Sequence, residues 1–344
     1  MSSPLQTELD TILHGAAIFP LTDRAFLRIT GPDATRWLNG MVTNNIKDLA
    51  PGEGNYNFLL NNQGRIQGDC TIYREYREPE SGDARYLLQT DASQIDTIQQ
   101  LLDKFIIMDD VELSRELVVQ GSSFPQEMFK GFAVIGKTAD ELFGKVMGEI
   151  LNEFLLVDLP KAGTLVWGTY AGTPSFVLSP PETKKAVEVW SSYSDLDAVR
   201  TEFQKLGAIE LSPAAIEAYR ILSGTPKYGV DIRNTDTAKD LPQETAQTHA
   251  LHFTKGCYLG QEIVERIHSR GQVHRTFTTF SLSALPATLP SPLTAEGKPA
   301  GELTSAITIG DQTFALGYIR REALDRLNFD GGTATPTPVP ISLI

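Results

Sequence analysis

Alternation of apolar and polar residues predicts β-strands through most of the first 190 residues. The predicted strands cover residues 25–30, 56–60, 65–74, 85–90, 111–119, 132–135, 154–157, 164–170, 175–177 and 186–190. Apolar residues three and four apart predict amphipathic helices at residues 94–107, 141–151 and 195–206. Residues 5–20 are predicted to form a short helix followed by a loop. The repeated order of strands and helices indicates an α+β protein with two units of similar size.

The pattern changes after residue 210. Ser212-Pro213 supplies a cap and a first-turn proline for a helix that runs to residue 223. The apolar stripe Ile263, Val264 and Ile267 predicts a helix from about residue 260 to residue 270, and on it Glu262 precedes Arg266 at ion-pair spacing. Further strands are predicted at residues 276–282, 301–309 and 313–319. The segment from residue 271 to 344 therefore forms a small all-β module.

The charge balance limits the classes of partner. The 344 residues include 43 acidic and 30 basic ones, giving a formal net charge of −13 and a pI of about 4.9. A general nucleic-acid binder needs a basic surface, and an anionic membrane surface likewise attracts basic segments. We therefore expect neither direct nucleic-acid binding nor membrane docking.

Two cysteines, Cys70 and Cys257, cannot build a disulfide framework, and they suit a reducing compartment. The N-terminal residues MSSPLQTELD have neither the basic nor the apolar region of a secretory signal. No apolar run approaches the ~20 residues of a membrane span. These features predict a cytoplasmic protein.

The stretch KGCYLGQE at residues 255–262 carries the most specific chemistry in the chain. Cys257 would lie just before the N-terminus of the helix that follows, where the free N–H groups favour a thiolate. Lys255 adds a positive charge nearby. The alternative is that Cys257 is a small buried hydrophobic residue, which is common for a single cysteine. Cys70 lies in a predicted strand and is expected to pack in the core.

Four histidines between residues 249 and 274 also raise the question of a metal site: His249, His252, His268 and His274. They have no H-x-x-x-H or H-E-x-x-H spacing, and Cys257 has no second cysteine near it in sequence. We therefore predict no metal site. A single cysteine cannot hold an iron–sulfur cluster, which usually takes four protein ligands.

The KGCYLGQE stretch resembles the signature of the YgfZ family, folate-binding proteins related to the aminomethyltransferase (T-protein) of glycine cleavage. The segments G-R-I-Q-G-D at residues 64–69, R-x-x-x-G-x-P-x-x-G-x-D-I at residues 220–232 and L-P-Q-E at residues 241–244 extend the resemblance. It implies two interleaved α+β folate-binding modules over residues 1–270 and a C-terminal β-barrel over residues 271–344. The modules would form a ring around a folate channel.

The resemblance also implies a set of site residues. Asp69 would be the folate-site aspartate, and Glu244 would pair with the donors of the pterin ring. From the residues alone, a solvated or hairpin-bonded strand residue is favoured for Asp69 and a surface loop residue for Glu244, so both assignments depend on the resemblance. Arg220, Tyr258 and Gln261 complete the implied folate site, although Arg220 could also pair with a structural carboxylate. The implied reactive residues are Cys257 and Lys255, and the implied cofactor is tetrahydrofolate.

Two functions are compatible with this resemblance. The first is a folate-dependent factor for assembly or repair of iron–sulfur enzymes, including those that thiomethylate tRNA; its partners would be these enzymes or cluster-assembly proteins. The second is aminomethyl transfer to tetrahydrofolate. Aminomethyltransferases usually carry Asp or Asn at the position of Cys257, a basic residue at Gln261 and an acidic residue at Gly68. A thiolate is a soft ligand and a carboxylate is not, so these differences favour the first function.

Overall fold

The computed structural model describes residues 4–75, 83–119, 122–150, 162–170, 173–181, 185–192, 196–235, 238–271, 273–322 and 326–341. Its helices are α1 (Pro4–His14), α2 (Ala34–Met41), α3 (Ile95–Asp103), α4 (Ala139–Ile150), α5 (Leu196–Lys205), α6 (Pro213–Leu222) and α7 (Gln261–Arg270). Its strands are β1 (Ala17–Leu21), β2 (Arg24–Thr30), β3 (Gly54–Leu60), β4 (Ile66–Arg74), β5 (Tyr86–Asp91), β6 (Glu112–Ser114), β7 (Glu116–Val119), β8 (Ser122–Pro125), β9 (Phe129–Ile135), β10 (Thr164–Tyr170), β11 (Thr173–Ser179), β12 (Ala186–Ser192), β13 (Ile209–Glu210), β14 (Arg275–Leu282), β15 (Ser291–Ala295), β16 (Lys298–Ile309), β17 (Gln312–Arg320), β18 (Leu327–Phe329) and β19 (Gly332–Thr337). The strand predicted at residues 154–157 lies outside the described residues.

Two sheets stacked between helices form the body of the protein. The first sheet has the order β3-β4-β5-β2-β6 and the second the order β10-β11-β12-β9-β1-β13. Phe26 and Tyr73 of the first sheet pack against Phe176 and Trp190 of the second. The other face of the first sheet packs on α2 and α3, and that of the second on α4 and α5. The resulting layers are helix, sheet, sheet, helix, which confirms the α+β class.

Strand β2 is buried on both faces because it lies between a helix layer and the second sheet. Its residues Ala25 to Ile29 are all buried, so the burial does not alternate as the residue pattern predicted. The one charge among them, Arg28, pairs with Glu75 at 2.5 Å and lies over the ring of Trp167. A charge removed from water in this way needs such a partner.

The N-terminal segment belongs to the second sheet and not to the first. Strand β1 pairs antiparallel with β9 and parallel with the short β13, while α1 packs on α6. The predicted loop after α1 is therefore wrong at residues 17–20, which belong to β1. Pro20 hid this strand, since proline is disfavoured inside sheets. It is tolerated here because β13 pairs only with Ala17 and Ile18, so among the described residues no strand pairs with Pro20 on that side.

The predicted all-β module is confirmed as a closed six-stranded barrel with the order β14-β17-β16-β15-β18-β19. Its core includes Phe280, Leu303, Ala315 and Leu327. The barrel contacts the body through α6, whose Ile221 packs on Phe277, Leu316 and Tyr318. Within the described ranges, no helix combines the length and apolar character needed to cross a membrane.

Candidate functional site

The loop before α7 is shaped by two glycines. Gly256 and Gly260 have φ values of 100° and 82°, in the left-handed region that favours glycine. A Cβ at Gly260 would lie 2.6 Å from the carbonyl oxygen of Asn61, so the loop approaches the β3–β4 hairpin too closely for a side chain. The Gln261 side chain accepts a hydrogen bond from the Tyr258 N–H at 3.3 Å. These contacts fix the path of the loop into the helix.

Cys257 lies on the exposed side of this loop, whereas Cys70 is buried in the core of the first sheet. Lys255 points into the protein, where its Nζ donates to the carbonyl oxygens of Val42 and Asn44, each at 2.5 Å. The Nζ also lies 5.0 Å from the centre of the Tyr258 ring. Burial lowers the pKa of Lys255 to about 7. The lysine thus anchors the loop to the N-terminal module.

Tyr258 fills the space beneath the loop. Its side chain is 7% exposed and packs with Phe58, Ile66 and Val264. Burial and the nearby Glu265 carboxylate raise the pKa of Tyr258. Within the described part of the chain, its hydroxyl has no hydrogen-bond partner. Tyr258 therefore supports the loop mainly by packing.

Asp69 lies on β4 with its carboxylate held by two donors. Oδ2 accepts from the Tyr56 hydroxyl at 2.6 Å, and Oδ1 accepts from Gln94 Nε2 at 2.7 Å. Burial raises the pKa of Asp69, although both hydrogen bonds and the charge of Arg24 oppose the shift. A carboxyl group shifted upward in this way is better suited to proton exchange near neutral pH.

Aromatic side chains flank this carboxylate. The Tyr56 ring lies 5.5 Å from that of His249, and the Tyr228 hydroxyl donates to the carbonyl of Gln67 at 2.7 Å. Burial, together with the charge of Asp69, raises the pKa of Tyr228 to about 12. Tyr228 therefore stays a neutral donor, and the site offers both aromatic rings and a carboxyl group.

A series of hydrogen bonds connects Asp69 to the cysteine loop. Tyr56 contacts Asp69 through its hydroxyl and accepts from Asn44 Nδ2 at 3.1 Å through its carbonyl. Asn44 Nδ2 also donates to the carbonyl of His249 at 2.8 Å. The carbonyl of Asn44 then accepts from Lys255 Nζ, two residues before Cys257. The structure thus brings Asp69 and Lys255 into one polar network.

Glu188 is a buried carboxylate that the sequence analysis missed. It lies on β12, 4% exposed, and its Oε2 accepts from Gln89 Nε2 at 2.6 Å and from Trp190 Nε1 at 3.0 Å. Arg24 Nε lies 3.8 Å from its other oxygen, and the charge of Arg24 also acts on Asp69. The sequence feature that could have identified Glu188 is that it is the single charged residue in the apolar strand A-V-E-V-W at residues 186–190.

Glu244 and Arg220 lie in contacts between the body and the barrel. Glu244 accepts hydrogen bonds from the Leu241 N–H at 3.4 Å and from Arg275 Nε at 3.3 Å, so its carboxylate already has partners within the protein. Arg220 donates to Asp231 at 2.5 Å and to the Ser305 hydroxyl at 2.7 Å. Both therefore stand in structural ion-pair networks.

The described residues include no group of three His, Cys, Asp or Glu side chains that could hold a metal ion. His268 instead stacks on Phe253, with ring centres 3.8 Å apart.

Comparison with known proteins gives the family. The GCVT N-terminal domain model matches residues 1–244. The glycine cleavage system aminomethyltransferase T from Bartonella henselae has the same fold, with a TM-score of 0.77 at 17% identity over 99% of this chain and 90% of that one. The fold and the match define an aminomethyltransferase-like protein. The chain belongs to the GCVT N-terminal domain family.

Named relatives include cluster assembly factors and aminomethyltransferases. The iron-sulfur cluster assembly factor IBA57 homolog of Neurospora crassa is 25% identical over 276 residues, which cover 80% of this chain but only 55% of that protein. Human mitochondrial IBA57 is 26% identical over 302 residues, or 83% of this chain and 73% of that protein. The aminomethyltransferase of Synechocystis is 24% identical over 325 residues, or 92% of this chain and 81% of that protein. Both expected functions are therefore represented among the relatives.

Proposed function

We propose that this chain is a tetrahydrofolate-binding factor of the YgfZ type that supports assembly or repair of iron–sulfur enzymes. Its clients would include enzymes that thiomethylate tRNA, and its place of action would be the cytoplasm. The relatives named as cluster assembly factors support the general role. The Neurospora and human relatives are named mitochondrial, so cell fractionation would test the cytoplasmic part of the proposal.

The observation that carries the proposal is the hydrogen-bond series between Asp69 and the loop of Cys257. Tyr56, Asn44 and Lys255 are its intermediate members. A ligand that binds at Asp69 and displaces Tyr56 would change the hydrogen bonds that hold the loop at Lys255, two residues before Cys257. The network thereby supports a coupling between folate occupancy and presentation of Cys257.

Asp69 is the better placed of the two carboxylates expected to bind folate. Its oxygens face two neutral donors, Tyr56 and Gln94, which a ligand can replace with its own N–H groups. The rings of Tyr56 and Tyr228 can pack on a flat heterocycle. Glu244 is less available, because it would first have to leave Arg275. Gln261 and Tyr258 enter the proposal through the loop that they support.

Cys257 is proposed to act as a soft ligand or nucleophile toward a sulfur, a cluster or a cysteine of a partner. Its exposure lets a partner protein approach the thiol. Because a cluster usually takes four protein ligands, the partner would supply most of them. Lys255 is a positioning residue in this scheme, since its ammonium is committed to two carbonyl oxygens.

Aminomethyl transfer remains the second candidate, favoured by the fold and by relatives such as the Synechocystis enzyme. The observation against it is the thiol at the position where those enzymes usually carry a carboxylate or carboxamide. A purified protein that releases ammonia from an aminomethylated carrier, in the presence of tetrahydrofolate, would support this candidate.

Complementation separates the two candidates. Cells lacking this chain would receive the wild type, Cys257→Ser or the matched control Cys70→Ser, and thiomethylated nucleosides in their tRNA would be measured. The proposal expects loss of these nucleosides with Cys257→Ser and near-normal levels with Cys70→Ser at equal protein abundance. Full restoration by Cys257→Ser would exclude the thiol from the function.

A further inference from the structure

A pocket of about 810 Å³ opens between α7, the β3–β4 hairpin and the start of the barrel. Four side chains that carry or can carry positive charge line it: Arg65, Arg266, Arg270 and His274. We call these four residues and the space between them the basic pocket. Its volume lies within the range of about 300–1,000 Å³ that is usual for small-molecule sites.

One face of α7 forms the wall of the basic pocket. Ile263, Arg266, Ile267 and Arg270 all line it, at the spacing of three and four residues that puts side chains on one helix face. Val264 turns the other way, into the core beneath. The pocket wall therefore alternates apolar and cationic groups, while the opposite face holds the helix in place.

The two arginines of this wall have no anionic partner in the described part of the chain. The sequence predicts an ion pair between Glu262 and Arg266, but within the described residues neither Arg266 nor Arg270 forms an ion pair, and both side chains are exposed. Like charges four residues apart weaken a helix slightly. These two exposed arginines line one pocket together, where water is all that their guanidinium groups would lose to a ligand.

The remaining groups complete an anion site. Arg65 Nη1 donates to the carbonyl of Lys239 at 2.5 Å, which aims the guanidinium but leaves its other donors available. The hairpin residues Asn62 and Gln63 add amide donors to the lining. The one carboxylate in the lining, Glu244, is already paired with Arg275. The pocket thus offers many donors and little competing negative charge.

We propose that the basic pocket binds a small organic anion that carries at least two phosphate or carboxylate groups. Guanidinium forks match both groups through paired hydrogen bonds, and the apolar side chains of Ile263 and Ile267 can contact the body of the molecule. Asp69 is not among the residues that line the basic pocket, although Glu244 is. The proposal therefore does not depend on folate binding at Asp69.

Calorimetry with inorganic pyrophosphate and with citrate, in low-salt buffer without folate, tests the site and distinguishes phosphate from carboxylate chemistry. Wild type is compared with the double variant Arg266→Gln/Arg270→Gln, and with Arg326→Gln as a control for loss of an exposed arginine outside the pocket. Glutamine has a helix propensity similar to that of arginine, so α7 is expected to persist, as circular dichroism can check.

The expected result is saturable binding of at least one probe that weakens with added salt. The double variant should bind at least about tenfold more weakly, and Arg326→Gln should bind like the wild type. Absence of saturable binding for both probes at about 10 mM would overturn the proposal. So would equal affinity of the wild type and the double variant, because the anion would then bind elsewhere.

Discussion

The two cysteines differ in solvent exposure and in local structure. Cys257 is exposed on a glycine-flanked loop, while Cys70 is 2% exposed in the core of the first sheet. The sequence predicted that Cys70 packs inside from a strand and that a helix starts after Cys257, but it left open whether Cys257 is exposed or buried. It did not predict the direction of Lys255, since two residues of separation do not determine which way a side chain points.

Thiol labelling tests the contrast at Cys257. Under native conditions, a maleimide reagent should modify one thiol per chain rapidly and the second only after denaturation. The variant Cys257→Ser should lose the rapid phase, and Cys70→Ser should keep it. Rapid labelling of both thiols in the native wild type would mean that the core around Cys70 opens easily.

Burial of the Lys255 amine makes the free energy of unfolding depend on pH, and the sign of this dependence can be predicted. Its folded pKa is about 7, below the ordinary value of 10.5, so the unfolded state binds more protons between these values. The free energy of unfolding should therefore rise from about pH 7 to about pH 10.5, by at most about 1.4 kcal/mol per pH unit from this group.

Urea denaturation of wild type and Lys255→Met across this pH range measures that contribution as a difference. The difference should change with pH between 7 and 10.5 and be constant below pH 6. A difference that does not vary with pH would show that the two carbonyl acceptors, from Val42 and Asn44, keep the ammonium form fully stable.

At the scale of elements, the amphipathic helices and most strands followed from residue periodicity. The helix predicted at residues 94–107 ends at Asp103, and the short strands β8, β13, β15 and β18 were not predicted. The missed strand β1 contains Pro20, a residue that is disfavoured inside sheets, and β2 is buried on both faces because two layers cover it. Glu188 was missed because its partners Gln89 and Arg24 come from the other sheet. The residue pattern within one strand does not predict which residues of another sheet that strand contacts.

The start of α7 depends on Gly260, and a matched glycine provides the comparison. Gly260→Ala places an alanine at a strained φ and brings its Cβ into a clash with the Asn61 carbonyl. Gly256→Ala has the strained φ alone, because no atom lies within 4 Å of its new Cβ. We expect losses of about 3 kcal/mol for Gly260→Ala and about 1 kcal/mol for Gly256→Ala in denaturant unfolding. Equal losses would mean that the hairpin moves aside at little cost.

At the scale of the whole molecule, Arg275 connects the barrel to the body. It pairs with Asp240, Glu244 and Glu302, and Arg233 also pairs with Glu302. The side chain of Asp240 is fully buried. The resemblance of residues 241–244 to a folate-site segment gave no hint of this network, because Arg275 is 31 residues from Glu244 along the chain.

Removing Arg275 should destabilise the fold strongly. Arg275→Gln leaves the buried Asp240 carboxylate without its charged partner, and breaking such a pair costs about 3 kcal/mol or more. Arg115→Gln is the control, because its pair with Asp96 is exposed and should contribute little. Urea unfolding measures both. A loss for Arg275→Gln no larger than for Arg115→Gln would contradict the account of this interface.

The proposed function depends on tetrahydrofolate binding at Asp69, which calorimetry can measure. Wild type should bind with a dissociation constant of about 10 µM or tighter, and Asp69→Asn should bind at least about tenfold more weakly. The exposed Asp103→Asn serves as the control and should bind like the wild type. No binding at millimolar folate, or unchanged affinity in Asp69→Asn, would contradict the account.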